Sequence, residues 1–264
     1  ELYGELATCQ KGTYRYDEAM ETLFKALDEH PDSFTDWDEL TELATATGET
    51  NRLKKALDKA CENAPNNENL LLRAVEVSIE NGDPLAAEAK LQKRGVFAAP
   101  GQSVKQTLAA ANVLKNLNKY DQAVKFLEEA VKANPKSFQL RLNYGYALMN
   151  AGRCQEAESV LKETAMNNPN EREVQVAWGR SLLSVDEAER AHRAFSLAAR
   201  LAPEDAEVIA CQGLALLQMG KEDEALPLLK DTIKKTEQPL ISTLVGLGSA
   251  YEKKGLADVG RDFY

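Results

Sequence analysis

The side chains that most often carry chemistry are few in this chain and poorly spaced for it. There are two histidines, His30 beside Pro31 and His192 inside an apolar-periodic stretch. A helix end near the C-terminal dipole and a surface position account for them better than general base catalysis. Cys9, Cys61, Cys154 and Cys211 lie 52, 93 and 57 residues apart, with no CxxC pair and no neighbouring histidine to complete a zinc set. They read as small buried hydrophobes of helices. GxSxG, P-loop and HExxH motifs are absent, and Glu128-Glu129 and Glu222-Asp223-Glu224 read as solvated helix faces. We therefore expect no catalytic, cofactor-binding or metal-ligating constellation, and a chain that is not an enzyme.

The remaining chemistry is recognition by amides and charges, and it depends on the elements that carry them. Of 264 residues, 44% are hydrophobic, 28% charged and only 6% aromatic, with abundant Ala, Leu, Glu and Lys, which favours helix throughout. The formal net charge of −10 repels phosphate backbones, and no dense basic patch offsets it, so nucleic acid is not an expected partner. Residues 1–65 hold 15 acidic against 7 basic side chains, so the acidity is concentrated at the N-terminal end. No run approaches the roughly 18 apolar residues of a membrane span, so this segment is not expected to insert into a bilayer. The composition is compatible with the cytoplasm or with a bacterial periplasm. Because the chain starts at Glu1 rather than Met and ends on Phe263-Tyr264, we expect the natural protein to extend beyond it.

Six prolines set the period: Pro31, Pro65, Pro100, Pro135, Pro169 and Pro203 are spaced by 34, 35, 35, 34 and 34 residues, and Pro239 follows after 36. Each stands between two apolar-periodic segments, where a residue with fixed φ and no N–H ends one helix and precedes the next. Between prolines one pattern recurs. Leu142, Gly145 and Leu148 lead to Ala151-Gly152-Arg153, Glu156-Ala157 and Leu161, as Cys211, Gly213 and Leu216 lead to Met219-Gly220-Lys221, Glu224-Ala225 and Leu229.

This pattern resembles the tetratricopeptide repeat family over essentially the whole chain. Gly145, Gly179, Gly213 and Gly248 match the close-packing glycine of its first helix, with Ala7 and Ala111 as substitutes. Ala19, Ala87, Ala123, Ala157, Ala191 and Ala225 match the early alanine of its second helix, and Ala26, Ala60, Ala130 and Ala198 the later one. Leu53 at the early place and Arg94 at the later one depart from it, as does the irregular Lys11-Gly12-Thr13-Tyr14 turn.

The resemblance implies an all-α, right-handed superhelical α-solenoid of stacked antiparallel helix pairs, in which neighbouring pairs bury one continuous core. About 7.5 repeats are expected in a single domain, at 1–31, 32–65, 66–100, 101–135, 136–169, 170–203 and 204–239, with a partial repeat at 240–264.

The family further implies a non-enzymatic scaffold that binds a partner peptide or helix in a concave groove lined by first helices. At helical spacing that face carries Glu1, Glu5, Asp38, Glu39 and Glu42 at its acidic end. It then carries Arg73, Lys105, Asn112, Lys115, Asn143, Tyr146 and Arg180. Asn112 and Asn143 offer both donor and acceptor to a peptide backbone, and the cations suit carboxylates. One subset of the family clamps C-terminal carboxylates, but aligning the two asparagines puts Leu108, Glu173 and Ala177 where it needs basic residues. Trp37 and Trp178 read as packing residues. Two alternatives remain open: the soluble part of a bacterial envelope lipoprotein supporting pilus or secretion-system assembly, and a regulatory module of a larger enzyme.

Overall fold

The prolines act through the turns that follow them. Asn67, Ser137, Glu171 and Asp205 each stand two residues after a proline and cap a first helix, and their N–H groups close the turn onto Ala64, Asn134, Asn168 and Ala202 at 3.0–3.3 Å. The side chains of Asn67 and Asp205 then accept two backbone N–H groups each, and that of Ser137 accepts one.

Within a repeat, the residue two places before the second helix is left-handed. Glycine fills that place at Gly48, Gly82, Gly152 and Gly220, while Asn118 and Asp186 are residues that tolerate it. Tyr14, at φ 59°, is the strained exception, because Gly12 falls two residues too early.

The computed structural model describes residues 2–30, 33–235 and 241–253. Pro31, Pro239, Glu1 and the expected second helix of the partial repeat at 254–264 lie outside them. The fold is all-α, a solenoid of stacked antiparallel helix pairs, with fifteen α-helices and no strand among the described residues.

The helices group into two compact units, Glu1–Lys119 and Tyr120–Tyr264. The first holds α1 (Leu2–Gly12), α2 (Tyr16–Glu29), α3 (Phe34–Thr47), α4 (Thr50–Asn63), α5 (Glu68–Glu80), α6 (Pro84–Lys93) and α7 (Val104–Asn116). The second holds α8 (Tyr120–Ala133), α9 (Phe138–Asn150), α10 (Cys154–Asn167), α11 (Arg172–Ser184), α12 (Ala188–Leu201), α13 (Ala206–Gln218), α14 (Glu222–Lys235) and α15 (Ile241–Lys253). The division falls between the two helices of the fourth repeat.

Inside each unit, consecutive helices pack on one another, and first helices also pack on the next first helix, as α5 does on α7 and α9, α11 and α13 do in sequence. The recurring small residues sit where helices approach most closely. A methyl group on Gly145 would lie 2.5 Å from Leu161 and one on Gly213 2.7 Å from Leu229, while one on Gly179 would overlap the Phe195 ring. Close approach thus offsets the helix cost of these glycines, about 0.5–1 kcal/mol each.

The early alanines are fully enclosed, and Leu53 is buried in the place where the second repeat lacks one. At the later place, Thr164 and Thr232 stand in the fifth and seventh repeats. Both are buried, and their hydroxyls donate to the Val160 and Leu229 carbonyls of their own helices.

The cysteines differ from expectation. Only Cys211 is buried; Cys61 and Cys154 are half-buried, and Cys9 is exposed in the groove between α1 and α3. Trp37 packs in the core, but Trp178 is half-buried and its indole N–H reaches Glu158 at 3.4 Å.

Candidate protein-binding face

In the second unit, α9 turns Leu140, Leu142, Gly145 and Leu148 into the core and leaves Asn143 and Tyr146, three residues apart, half-buried on the other side. Arg180 projects from the next first helix, α11, and Glu207 and Cys211 from the one after it, α13. The Arg180 guanidinium donates to Glu207 Oε1 at 2.8 Å, and its charge acts on the Cys211 thiol. Arg172 pairs with Asp205 and lies 3.7 Å from Glu207.

Burial pushes the Tyr146 hydroxyl above the ordinary tyrosine range, and Arg180 pulls it partly back. The hydroxyl makes no hydrogen bond to any described residue. Burial likewise raises the Cys211 thiol, against the opposing pull of Arg180. The structure thus brings Tyr146 and Arg180 together with two acidic or polarisable groups that the sequence reading missed. Glu207 lies 27 residues after Arg180. Its signal is its place in the first turn of α13, where an acid complements the helix dipole and so looks merely structural.

Asn143 is engaged locally, since its amide donates to the Gln139 carbonyl at 2.9 Å. That leaves the amide oxygen as its outward group.

In the first unit the expected acidic end is tied to its neighbours. Glu42 pairs with Lys11, Asp38 with Arg73, and Glu39 accepts from Thr8 at 3.4 Å. Arg73 also lies 3.4 Å from Glu76, and its Nε is buried without a partner. Lys105, Asn112 and Lys115 are exposed on α7. Asn116 donates to the Asn112 carbonyl at 2.8 Å and lies 3.3 Å from its side-chain oxygen.

Neither histidine joins a site: His30 caps α2 at the surface, and His192 is half-buried on α12 with an unpartnered Nδ1. Among the described residues there is no cluster of three or more potential metal ligands, and no helix is long and apolar enough to cross a membrane.

Stacked helix pairs define the fold as an α-solenoid. Residues 106–178 match the family model described as tetratricopeptide repeat. No curated protein matches the chain in sequence. Among solved structures, a tetratricopeptide repeat protein from Parabacteroides merdae ATCC 43184 is 14% identical with a TM-score of 0.68, covering 95% of this chain and 98% of that one. TTC0263, a thermophilic repeat protein of Thermus thermophilus, is 19% identical with a TM-score of 0.56, covering 70% of this chain and all of that one. MamA (41 to the end) from Desulfovibrio magneticus RS-1 is 17% identical with a TM-score of 0.52, covering 63% and 93% of the two chains. At these identities the structural likeness concerns the fold. Residues 106–178 thus carry tetratricopeptide repeats, of a family that is generally non-catalytic, and the chain has the fold of proteins built from them.

Proposed function

We propose that the chain holds a segment of a partner protein, an extended peptide or a helix, on the first-helix face of α9, α11 and α13, without turnover. The observation that carries this reading is the half-buried Tyr146–Arg180 pair. Tyrosine and arginine recur among residues that dominate binding energy, and a side chain already half-fixed loses less rotamer freedom on docking. Tyr146 offers an apolar ring edged by an unengaged hydroxyl. Arg180 can exchange Glu207 for a carboxylate of the partner, and the Asn143 oxygen can accept a backbone N–H. In the first unit, Lys105, Asn112 and Lys115 on α7 form a second, separately testable face with unengaged cations.

The test is selection of peptides from a displayed library on the intact chain, followed by binding measurements on Tyr146→Ala and Arg180→Ala. A selected peptide should lose at least about tenfold in affinity in either variant, as removal of a hot-spot residue requires. Peptides that bind both variants as tightly as the parent would move the function off this face.

A further inference from the structure

The third repeat breaks the pattern where a cleft opens. Of the seven second helices described, α2, α4, α8, α10, α12 and α14 each run 14 residues, whereas α6 runs 10. At the place where Ala26, Ala60, Ala130 and Ala198 are buried, this repeat has Arg94, which becomes the half-exposed C-cap of α6. Gly95, at φ 71°, then turns the chain into a short 3-10 helix at Val96–Ala98.

The absent last turn leaves an open cleft of roughly 470 Å³ between α4 and α6 in the first unit. Cys61 and the buried Leu71 line it, with Asp58 and Glu62 on the α4 wall and Lys90, Lys93 and Arg94 on the α6 wall.

The charges do not cancel. Lys90 is neutralised by Asp58 at 2.7 Å. Lys93 and Arg94 make no ion pair or side-chain hydrogen bond with any described residue. The dipole of α6 favours cations at its C-terminal end without neutralising them. With Glu62 on the facing wall, the cleft has a net charge of about +1, which suits a single carboxylate better than a phosphate dianion or a polyanionic backbone. Leu71 and Cys61 offer an apolar bed for the methylenes that such a carboxylate rides on.

We propose that this cleft receives an acidic side chain of a partner protein, with Arg94 as the forked donor and Lys93 as the second cation. Cys61 reports its occupancy, since a half-buried thiol in the cleft is shielded from reagent when the cleft is filled. The experiment follows alkylation of Cys61 by N-ethylmaleimide, a neutral reagent, using peptide mass mapping on the unaltered chain. Three arms contain a capped Leu-Glu-Leu tripeptide, its Leu-Gln-Leu counterpart, and inorganic phosphate.

The glutamate peptide should slow alkylation at least about threefold, the protection expected from two-thirds occupancy, and the glutamine peptide should not. Arg94→Ala, which restores the family's alanine, should abolish the protection at unchanged circular dichroism, and Arg94→Lys should keep part of it. Equal rates with the two peptides would overturn the proposal, as would protection that survives Arg94→Ala. Protection by phosphate as strong as by the glutamate peptide would assign the cleft to small anions and remove the protein side chain as its occupant.

Discussion

In residues 1–119, first helices tie their charges to one another: Lys11 on α1 meets Glu42 on α3, and Asp38 on α3 meets Arg73 on α5. In residues 120–264, two cations of α11, Arg172 and Arg180, meet Asp205 and Glu207 at the start of α13, and the half-buried Tyr146 beside Arg180 makes no hydrogen bond to a described residue. The two units differ in the packing beneath these pairs. The second unit has glycine at the close-approach place in three successive first helices, at 145, 179 and 213, whereas Ala7, Thr41, Val75 and Ala111 occupy it in the first. Where backbones approach too closely for a Cβ, helix positions are fixed mainly by packing, as at Gly145, Gly179 and Gly213. Ion pairs between neighbouring first helices add to the adhesion in both units. Each pair is at least partly solvent-exposed and contributes only about 0–1 kcal/mol.

That contrast can be broken at several strengths. Phe195→Ala removes a fully enclosed ring packed over Gly179 and should destabilise the second unit by about 3–5 kcal/mol in chemical denaturation. Gly179→Ala should cost about 1–3 kcal/mol although alanine is the better helix former, because the new methyl overlaps that ring. Combined with Phe195→Ala it should cost less than the sum, since the first change vacates the space the second needs. In the first unit Thr41→Gly should show only the propensity difference between the two residues, roughly 0.3 kcal/mol. A gain in stability there would mean that both units are packed alike.

The periodic elements of the fold were legible because each rests on a residue type with few substitutes. The prolines from Pro65 to Pro203 precede first helices, and Gly145, Gly179 and Gly213 lie where no side chain fits. Departures were legible only as departures: Arg94 marks an irregular place but does not announce a shortened helix and a cleft. The site was half legible. The repeat period puts Tyr146 and Arg180 on neighbouring first helices, as it does Asp38 and Arg73, but that Asp38 pairs with Arg73 depends on side-chain reach that spacing does not give. The amides of Asn143 and Asn116 turn back to carbonyls four residues earlier, a local bond that competes with any ligand and leaves no mark in spacing.

Smaller effects sharpen the comparison. Tyr14→Gly should stabilise the first unit by about 0.5–1 kcal/mol, because relief of a left-handed tyrosine, about 1–2 kcal/mol, outweighs its edge-to-face contact with Tyr16. The thermal midpoint would show it, and Asp186→Gly in the second unit should change little. Acid stability should respond at Asp83. The Lys54 hydrogen bond, and then the Ala86 N–H, hold its carboxyl below the ordinary aspartate value. Its contribution is present in full above that ordinary value and is lost as pH falls through the lowered one. Asp83→Asn keeps the helix cap but should flatten this part of the acid limb, read as thermal midpoint against pH.

Hydrogen–deuterium exchange of the intact chain with and without a library-selected peptide tests the binding face most directly. Protection concentrated in α9, α11 and α13 is the predicted footprint. Protection confined to α1, α3 and α5, with the Tyr146–Arg180 helices unchanged, would contradict it.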